Sequence, residues 1–346
     1  MPHKIPVDLR SDTVTKPTSA MRQAMLEAEV GDDVFLEDPT VNRLQEMVAE
    51  LLGKEAALFV PSGTMGNQVA LRCHTQPGDE VICEAGSHFL HYELGGIAAL
   101  SGVHARTING IRGVITAEQI APLIRPAVYY MPTTKVLALE NTHNSAGGTI
   151  FPLHEIEKIS GLAQQHGLRM HMDGARLWNA CAATNIAPRE YARAFDSVSV
   201  CFSKGLGAPV GSALAGTREF IERARRVRKM LGGGMRQVGI LAAAAIYALE
   251  HHRARLAEDH RNAKRLAEGL ASIPGVQIDS ESVQTNIVMI DIAQTKFDAA
   301  SAALALRQEG VWLVPFGAHL LRAVTHLEIV ENDLAPVLAA FRKVLV

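Results

Sequence analysis

Short apolar segments alternate with amphipathic segments along most of the first 250 residues. Residues 40–53 and 152–167 carry apolar positions at helical spacing and end at glycine, which predicts two helices. The predicted strands are Ala56–Val60, Glu80–Glu84, Lys135–Glu140, Leu168–Asp173, Ser197–Ser203 and Ser212–Gly216. Strands that alternate with helices indicate the α/β class, with a mostly parallel sheet and helices on both of its faces.

The pattern changes near Met235. An alanine-rich run with helical periodicity extends from there to about Ile273, and shorter apolar segments and a final helix follow. This α+β pattern predicts a second, smaller domain at the C-terminal end. We expect residues 1–250 to form an N-terminal arm and a large domain, and residues 251–346 to form the small domain.

Composition narrows the classes of partner. The 346 residues include 34 lysines and arginines against 36 aspartates and glutamates, and the net charge of −2 gives no attraction to nucleic acid or to an anionic membrane. A small molecule is therefore the expected partner. The four cysteines form no C-x-x-C pair, which predicts reduced, buried thiols and no metal site. Since MPHKIPVDLRSD lacks a signal-peptide core and no apolar stretch reaches the roughly 18 residues of a membrane span, we expect a soluble, cytoplasmic protein.

Polar side chains stand at the carboxyl ends of several predicted strands, the edge at which open α/β sheets bind ligands. Lys204 follows an apolar strand and precedes a glycine-rich turn, so its amine is partly desolvated and can act as a nucleophile toward a carbonyl. Asp173 ends the neighbouring strand, where it can be a helix cap, an ion-pair partner or the acid that pairs with a protonated ring nitrogen. On separate neighbouring strands, the two residues suit the two ends of a pyridoxal cofactor.

The segment Ser62–Thr64 adds a candidate phosphate site. It follows a predicted strand and opens a helix, whose free N–H groups and positive dipole end can hold a phosphate. A plain helix N-cap has the same sequence, so both interpretations stay open at this point. The turn after Lys204 lacks the order of a P-loop, because its lysine precedes the glycines, and nucleotide binding is therefore disfavoured.

Two histidines and three arginines are further candidates. His88 and His143 each follow a predicted strand, and either can be a core histidine, a metal ligand, or a stacking or acid/base group. Arg176, Arg236 and Arg322 can bind a carboxylate or a phosphate, since a guanidinium group grips such anions with two hydrogen bonds. Arg322 lies in an otherwise apolar segment, where an unpaired charge is unfavourable.

Taken in order, these motifs resemble the family of low-specificity L-threonine and L-allo-threonine aldolases. The family uses pyridoxal phosphate and has the aspartate aminotransferase-like fold type I. The resemblance extends through nearly the whole chain. Its motifs are DLRSDTVTKPT (8–18), GDDVFLEDPTVNRLQE (31–46), PSGTMGNQ (61–68), HFLHYELGG (88–96), LENTHNSAGG (139–148), HMDGARLWNA (171–180), SKGLGAPVGS (203–212), RKMLGGGMRQ (228–237) and LRAVTHLEI (321–329).

The resemblance implies a role for each matching residue. Lys204 forms the Schiff base with pyridoxal 5′-phosphate, Asp173 pairs with the pyridine nitrogen, and His88 stacks on the ring. His143 is placed near the substrate hydroxyl, and the base is His88 or His143, directly or through water. The other implied contacts are Gly63, Thr64, Ser203 and Arg236 to the cofactor, and Ser11, Arg176 and Arg322 to the substrate carboxylate. Lys229 and Arg236 match residues that reach a neighbouring subunit's site in a homotetramer, whose sites lie at a dimer interface.

The implied reaction is retro-aldol cleavage of the Cα–Cβ bond of L-threonine, L-allo-threonine or a related β-hydroxy-α-amino acid, which gives glycine and an aldehyde. The alternatives are a β-eliminating lyase or aminotransferase with the same cofactor, and a non-catalytic binding protein on the same fold. The family commonly has tyrosine and glycine where this chain has Phe35 and Leu36. We therefore expect a more apolar mouth, which favours aromatic aldehydes, as in phenylserine cleavage.

Overall fold

A computed structural model describes residues 7–346, and residues 1–6 of the expected N-terminal arm lie outside the described residues. The strands are β1 (Val7–Asp8), β2 (Ala56–Val60), β3 (Glu80–Glu84), β4 (His104–Ile108), β5 (Thr134–Glu140), β6 (Arg169–Gly174), β7 (Ser197–Cys201), β8 (Ser212–Gly216), β9 (Ile287–Asp291), β10 (Val311–Trp312), β11 (Val314–Pro315) and β12 (Leu320–Val324). The α-helices are α1 (Ser19–Leu26), α2 (Pro39–Leu52), α3 (Gly63–His74), α4 (His88–His91), α5 (Gly96–Ser101), α6 (Ala117–Ile120), α7 (Leu153–His166), α8 (Leu177–Thr184), α9 (Pro188–Ala192), α10 (Arg218–Met230), α11 (Gly239–His251), α12 (Leu256–Ala271), α13 (Ala299–Gln308) and α14 (Leu334–Leu345). None of the helices in this range is both long and apolar enough to cross a bilayer.

The central sheet has the strand order β2-β8-β7-β6-β5-β3-β4. β8 is antiparallel to both of its neighbours, and the other neighbouring strands run parallel. The predicted mostly parallel α/β sheet is therefore confirmed. β4 is missing from the sequence prediction, because this edge strand, HARTI, is mostly polar and only partly buried. The inner strands β6 and β7 are buried along nearly their whole length.

Two large clusters of buried apolar side chains divide the packing. One surrounds the central sheet and includes residues up to Leu256. The other joins Leu9 to residues from Ala263 to Leu345, around the small sheet of β9, β11 and β12. β1 pairs with β10, so the beginning of the described chain packs with its C-terminal part. The domain boundary after residue 250 stays a prediction.

The helical run predicted from Met235 to Ile273 is two helices, α11 and α12. The chain turns between them at residues 252–255, where His252 Nδ1 donates a hydrogen bond to the carbonyl of Leu206 at 2.7 Å. The sequence contains no glycine or proline at this turn, so the break has no local signal. The hydrogen bond from His252 to Leu206, which lies far away in the sequence, is the contact that the structure shows at this turn.

β7 ends at Cys201, although the sequence predicts a strand up to Ser203. The backbone N–H of Phe202 donates to the carbonyl of Gly211 at 3.0 Å, and the N–H of Ala208 donates to the carbonyl of Phe202 at 3.1 Å. These two bonds close a loop directly after the strand. Lys204 therefore lies in a turn beyond the edge of the sheet.

Because β6 packs closely against β7, we expect any side chain larger than that of glycine at position 174 to destabilise the protein. A Cβ atom at Gly174 would lie 2.6 Å from the carbonyl oxygen of Ser199, a backbone atom that cannot move aside alone. We expect Gly174→Ala to lower the free energy of unfolding by about 1–3 kcal/mol. Gly161→Ala is the control, because a Cβ there meets nothing within 4 Å, and alanine favours helix α7 by up to about 1 kcal/mol. Urea unfolding measures the free energy of unfolding of both variants and of the native protein. If Gly174→Ala were as stable as the native protein, this description of the packing would be contradicted.

Candidate active site

Two acidic side chains stand together at the carboxyl end of the parallel strands. Glu140, the last residue of β5, is in register with Asp173 on β6. The Glu140 carboxylate accepts hydrogen bonds from the backbone N–H groups of His88 and Asn144, both at 2.8 Å. Glu140 thereby fixes the start of α4 and the loop that follows β5, and each of these carries a candidate site residue.

Lys204 is held by the backbone of its turn. Its carbonyl oxygen accepts hydrogen bonds from the N–H of Gly207 at 2.8 Å and from Thr15 Oγ1 at 3.3 Å. Gly207 has a φ of +79°, a conformation that favours glycine. His252 also anchors this turn through Leu206. The half-buried Lys204 side chain thus extends from a turn whose backbone is held by hydrogen bonds to Thr15 and His252.

Lys204 lines a cleft with a volume of about 350 Å³. Segments from both hydrophobic clusters and from the N-terminal arm contribute to its walls. The lining residues are Ser11, Thr13, His88, Tyr92, Asn144, Arg176, Lys204, Val314, Pro315, Phe316 and Arg322. Of the residues predicted from the sequence, the cleft brings together Ser11, His88, Arg176, Lys204 and Arg322.

Arg176 is buried in the cleft wall and paired with Asp12. Its Nε and Nη2 atoms donate to the two carboxylate oxygens of Asp12, each at 2.8 Å. Burial opposes the charge of Arg176, but the Asp12 carboxylate outweighs it and raises the pKa of the guanidinium group. The remaining nitrogen, Nη1, lies 3.3 Å from Asn144 Oδ1. Only this edge of Arg176 is available to a ligand.

Arg322 meets Arg176 at the same amide oxygen. Its Nη1 donates to Asn144 Oδ1 at 2.9 Å, its Nη2 donates to the carbonyl of Arg10 at 3.3 Å, and its guanidinium carbon lies 5.1 Å from the centre of the Phe316 ring. Within residues 7–346, no carboxylate forms an ion pair with Arg322. Burial and then the positive charge of Arg176 lower the pKa of Arg322. The two arginines together carry one positive charge more than Asp12 neutralises, which suits a ligand carboxylate.

Ser11 adds a hydroxyl group beside this pair of arginines. Its Oγ accepts hydrogen bonds from the backbone N–H of Thr13 at 3.2 Å and from Thr13 Oγ1 at 2.8 Å. Because both contacts use the oxygen as acceptor, the hydroxyl hydrogen can still be donated to an anion in the cleft.

His88 lines the cleft and is held by a buried acid. Its Nδ1 lies 2.9 Å from Oε1 of Glu93, whose side chain has no exposed area. Burial opposes protonation of His88, but the hydrogen bond to Glu93, followed by the charge of Asp173, outweighs it and raises the pKa of the imidazole. The Tyr92 ring lies 5.3 Å from the His88 ring at the same side of the cleft.

The structure does not bring His143 into the cleft. Its side chain is 3% exposed, and its Nε2 lies 2.9 Å from Oε2 of Glu84, in an ion-pair contact without hydrogen-bond geometry. A Cβ atom at Gly113 would fall within 2.8 Å of the His143 ring, so the ring is tightly enclosed. The role implied for His143 near a substrate hydroxyl stays a prediction.

The start of α3 fits a phosphate group. α3 begins at Gly63, so the N–H groups of Gly63 and Thr64 have no partner within the helix. A Cβ atom at Gly63 would lie 2.8 Å from Cys201 Sγ, and glycine thus lets this helix end approach the end of β7. Ser203 and Lys204 follow on that same side of the sheet. One turn further along α3, Asn67 Nδ2 donates to Asp173 Oδ2 at 2.7 Å.

These groups match the chemistry of pyridoxal phosphate. The cleft offers an amine for its aldehyde, the helix end offers N–H groups for its phosphate, and Asp173 offers a carboxylate for its ring nitrogen. The roles of Gly63, Thr64, Ser203, Asp173 and Lys204 toward the cofactor stay predictions, as does the expectation that no metal is involved.

Arg236 lies outside the cleft of its own chain. Its side chain is about half exposed and pairs with Asp32 at 3.0 Å. Lys229 borders a different surface cavity with Val34, and the neighbouring Phe35 is 68% exposed. Arg236, Lys229 and Phe35 therefore contact or neighbour the segment Asp32–Val34, and none of the three lines the cleft.

Four residues that organise the site had no assigned role in the sequence analysis. They are Asp12, Asn67, Glu93 and Asn144. Asp12 directly follows Ser11, Asn144 directly follows His143, and Asn67 lies one helical turn after Gly63, so each had a detectable neighbour. Glu93 had none, because it reaches His88 through a turn with no regular periodicity.

Comparison with known proteins shows the family of this chain. Residues 8–294 match the model of the beta-eliminating lyase family. The chain is 45% identical over 343 residues to low-specificity L-threonine aldolase 1 of Arabidopsis thaliana, covering 97% of this chain and 96% of that protein. It is 42% identical over 337 residues to the low specificity L-threonine aldolase of Escherichia coli (strain K12), covering 97% and 98%. This chain belongs to the threonine aldolase family.

Solved structures extend the likeness to the whole fold. The threonine aldolase of Leishmania major superposes with a TM-score of 0.83 at 21% identity, covering 98% of this chain and 100% of that chain. A mutant aspartate aminotransferase of Thermus thermophilus superposes with a TM-score of 0.73 at 19% identity, covering 99% and 97%. The predicted aspartate aminotransferase-like fold type I of this threonine aldolase family member is therefore confirmed.

The buried pair of Asp12 and Arg176 predicts a large and pH-dependent effect of Asp12→Asn. We expect this variant to lower the free energy of unfolding at pH 7 by about 3–5 kcal/mol, because it leaves a buried guanidinium group without its counter-charge. Asp8→Asn is the control, since the pair of Asp8 and Arg10 is partly exposed and its loss costs about 1 kcal/mol or less.

The pH dependence of that effect has a definite sign. Although burial opposes the charge of Asp12, Arg176 holds its pKa in the folded protein well below the ordinary value of 3.8. The stabilisation is therefore present above pH 3.8 and shrinks as the pH falls below it, because the unfolded chain then gains the proton first. The difference between native and Asp12→Asn proteins, measured by urea unfolding, should be constant from pH 7 to pH 5 and narrow below 3.8. A difference that grows in acid would contradict the pairing.

Proposed function

We propose that this protein is a pyridoxal-phosphate-dependent aldolase, an aldehyde-lyase that cleaves L-threonine, L-allo-threonine or related β-hydroxy-α-amino acids to glycine and an aldehyde. The observation that carries the proposal is the content of one cleft: a half-buried lysine, a histidine with an acid partner, and two arginines with one unneutralised positive charge. The identity of 42% to a low specificity L-threonine aldolase over nearly the full length supports it.

Each residue of the proposed site has a separate task in this function. When bound, pyridoxal phosphate supplies an electron sink for the bonding electrons at the substrate Cα. Lys204 would supply the amine that holds the cofactor aldehyde. The Asp173 carboxylate holds a proton at the ring nitrogen, and the N–H groups of Gly63 and Thr64 bind the phosphate.

The arginine pair selects the bond that breaks. Nη1 of Arg176 and Nη1 of Arg322 converge on Asn144 Oδ1, and Ser11 stands beside them. A substrate carboxylate bound by these groups fixes the rotation about Cα, and the Cα–Cβ bond is thereby set for cleavage. Since Asp12 already occupies two nitrogens of Arg176, Arg322 contributes more of the free charge.

His88 is the base that takes the proton of the β-hydroxyl group, directly or through one water molecule. It lines the cleft, whereas His143 does not. A general base is most effective when its pKa lies near the working pH. Because the pKa of His88 is raised, its neutral, basic form is populated at higher pH than that of an ordinary histidine.

A β-eliminating lyase or aminotransferase on the same cofactor is the second candidate. The description of the matched family model, beta-eliminating lyase, names the first of these two reactions. The two candidates differ in products, because retro-aldol cleavage of threonine gives acetaldehyde and glycine in equal amounts, whereas elimination or transamination gives ammonia or a keto acid.

Loss of the Lys204 amine should abolish both the covalent link and the reaction. We expect the native protein to release acetaldehyde and glycine in a 1:1 ratio from threonine, and borohydride to fix the cofactor on Lys204 in peptide maps. Lys204→Ala should lose the label and fall in kcat by a factor of 10³ or more, on the order of the loss when an essential nucleophile is removed. Lys158→Ala, an exposed lysine of α7, should behave as native. Ammonia or a keto acid as the main product would support the second candidate instead.

We also propose that the protein is a cytoplasmic homotetramer with its sites at a dimer interface. The face that carries Lys229, Arg236 and Phe35 then meets the cleft of a neighbouring subunit. Arg236 contributes to the phosphate site of that neighbour, and Phe35 and Leu36 add apolar surface near its mouth. The aromatic rings of Tyr92 and Phe316, 6.3 Å apart within the cleft, support a preference for aromatic aldehydes.

Phe35→Tyr tests the predicted preference for phenylserine. A hydroxyl group restored at this position should change the ratio of kcat/KM for phenylserine to kcat/KM for threonine by roughly 2- to 10-fold in favour of threonine, the effect of about one hydrogen bond. Leu304→Ala is the control, because Leu304 of α13 is 62% exposed, close to the 68% of Phe35. Identical ratios in the native protein and in Phe35→Tyr would dispose of this role for Phe35.

A further inference from the structure

Glu93 is a buried acid next to the base of the proposed reaction. It lies in the turn between α4 and α5. Its Oε1 accepts hydrogen bonds from Nδ1 of His88 and from Nδ2 of Asn67, both at 2.9 Å, and its Oε2 accepts one from Nε2 of Gln68 at 2.6 Å. Both carboxylate oxygens therefore have partners, as a buried charge requires.

Asn67 joins Glu93 to Asp173. Its single amide nitrogen donates to Glu93 Oε1 at 2.9 Å and to Asp173 Oδ2 at 2.7 Å. Because carboxylates only accept, the amide group has one possible orientation, with Oδ1 facing Nε2 of His171 at 3.1 Å. One side-chain atom each of His88, Glu93 and Asp173 lies within 4.8 Å of the other two.

A chain of hydrogen bonds through His171, Ser197 and His74 fixes the orientation of the Asn67 amide. His171 must carry its hydrogen on Nε2, so its Nδ1 accepts from Ser197 Oγ at 2.9 Å, and Ser197 Oγ accepts from Nε2 of His74 at 2.8 Å. Burial lowers the pKa of His171 to about 4 and that of His74 to about 3, so both rings are neutral near pH 7. Every donor in this chain of hydrogen bonds has a defined acceptor, and the Asn67 amide is a rigid support for both carboxylates.

We propose that Glu93 is a positioning residue of this site, which holds His88 with its Nδ1–H directed at Glu93 and thereby leaves Nε2 as the atom that acts on the substrate. This inference rests on the function proposed above, in which His88 is the base. Glu93 does not line the cleft, so it acts through His88. Through Asn67, the same carboxylate is fixed relative to Asp173, and the base and the acid of the cofactor site are held as one unit.

The charges around His88 determine what loss of Glu93 should do. The titratable groups that face His88 are Glu93, Tyr92, Asp173, Glu140 and Lys204. The three carboxylates favour the protonated imidazole, and the Lys204 ammonium group disfavours it. Of the effects that oppose burial, the hydrogen bond to Glu93 is the largest. Without the Glu93 charge, the pKa of His88 falls, and the neutral base forms at lower pH.

Glu93→Gln removes the charge but keeps the shape and one acceptor oxygen. In the cofactor-loaded protein with ¹³C-labelled histidine, the NMR titration of His88 Cε1, assigned with His88→Asn, should move to lower pH. The low-pH limb of the kcat profile with threonine should move in the same direction, and the plateau of kcat should fall on the order of tenfold, because the histidine is less well oriented and less basic. KM should stay within about twofold, since the carboxylate-binding residues are untouched.

Glu84→Gln is the matched control. Glu84 lies 2.9 Å from His143, the separation of Glu93 from His88, but that pair does not line the cleft. Its loss should leave the His88 titration and the kcat profile at their native positions. If Glu93→Gln fails to fold, Glu93→Asp serves instead, because it keeps the charge but withdraws the carboxylate by one methylene group, and it should move the His88 midpoint in the same direction by less.

A native His88 midpoint in whichever of these two Glu93 variants folds would overturn the proposal, as would an equal movement in Glu84→Gln. The NMR midpoint does not depend on which substrate bond is broken. A moved midpoint in a protein that leaves threonine intact would therefore reject the proposed function alone, whereas an unmoved midpoint in an active aldolase would reject the role of Glu93 alone.

Discussion

The carboxylate of Asp173, buried at the end of a central parallel strand, is the group on which the rest of the site depends. A buried carboxylate needs donors, and here Asn67 Nδ2 and the N–H of Ala175 supply two. Its oxygens retain lone pairs for one more donor, the place that a protonated ring nitrogen takes. The helix that carries Asn67 also begins with the free N–H groups of Gly63 and Thr64, so one element serves both ends of the cofactor.

The arginine pair leaves one positive charge in the cleft unneutralised. Asp12 neutralises Arg176, and the charge of Arg322 then remains for a carboxylate from the substrate. These groups come from distant parts of the chain, because Asp12 lies in the N-terminal arm and Arg322 on β12 of the second hydrophobic cluster. The substrate site therefore exists only where the arm and the C-terminal sheet pack against the large sheet.

Much of the fold and part of the site follow from the sequence. Apolar strands that alternate with amphipathic helices predict the parallel sheet, and the strand ends then place Lys204 and Asp173 at one edge. The break at His252 and the strand β4 depend on tertiary contacts and on an edge position, so local pattern does not reveal them. Spacing also does not encode the direction of a side chain. His88 and His143 both follow strands, but only His88 lines the cleft, whereas the enclosed His143 ring lies against Glu84.

The protonation state of the cofactor ring tests the central claim most directly, because Asp173 is placed to keep a proton on that ring. The protein loaded with pyridoxal phosphate labelled with ¹⁵N in the ring would be studied by NMR, beside Asp173→Asn. The account predicts the chemical shift of a protonated pyridine nitrogen in the native protein at neutral pH, and that of an unprotonated nitrogen in the variant. An unprotonated ring nitrogen in the native, active protein would contradict it.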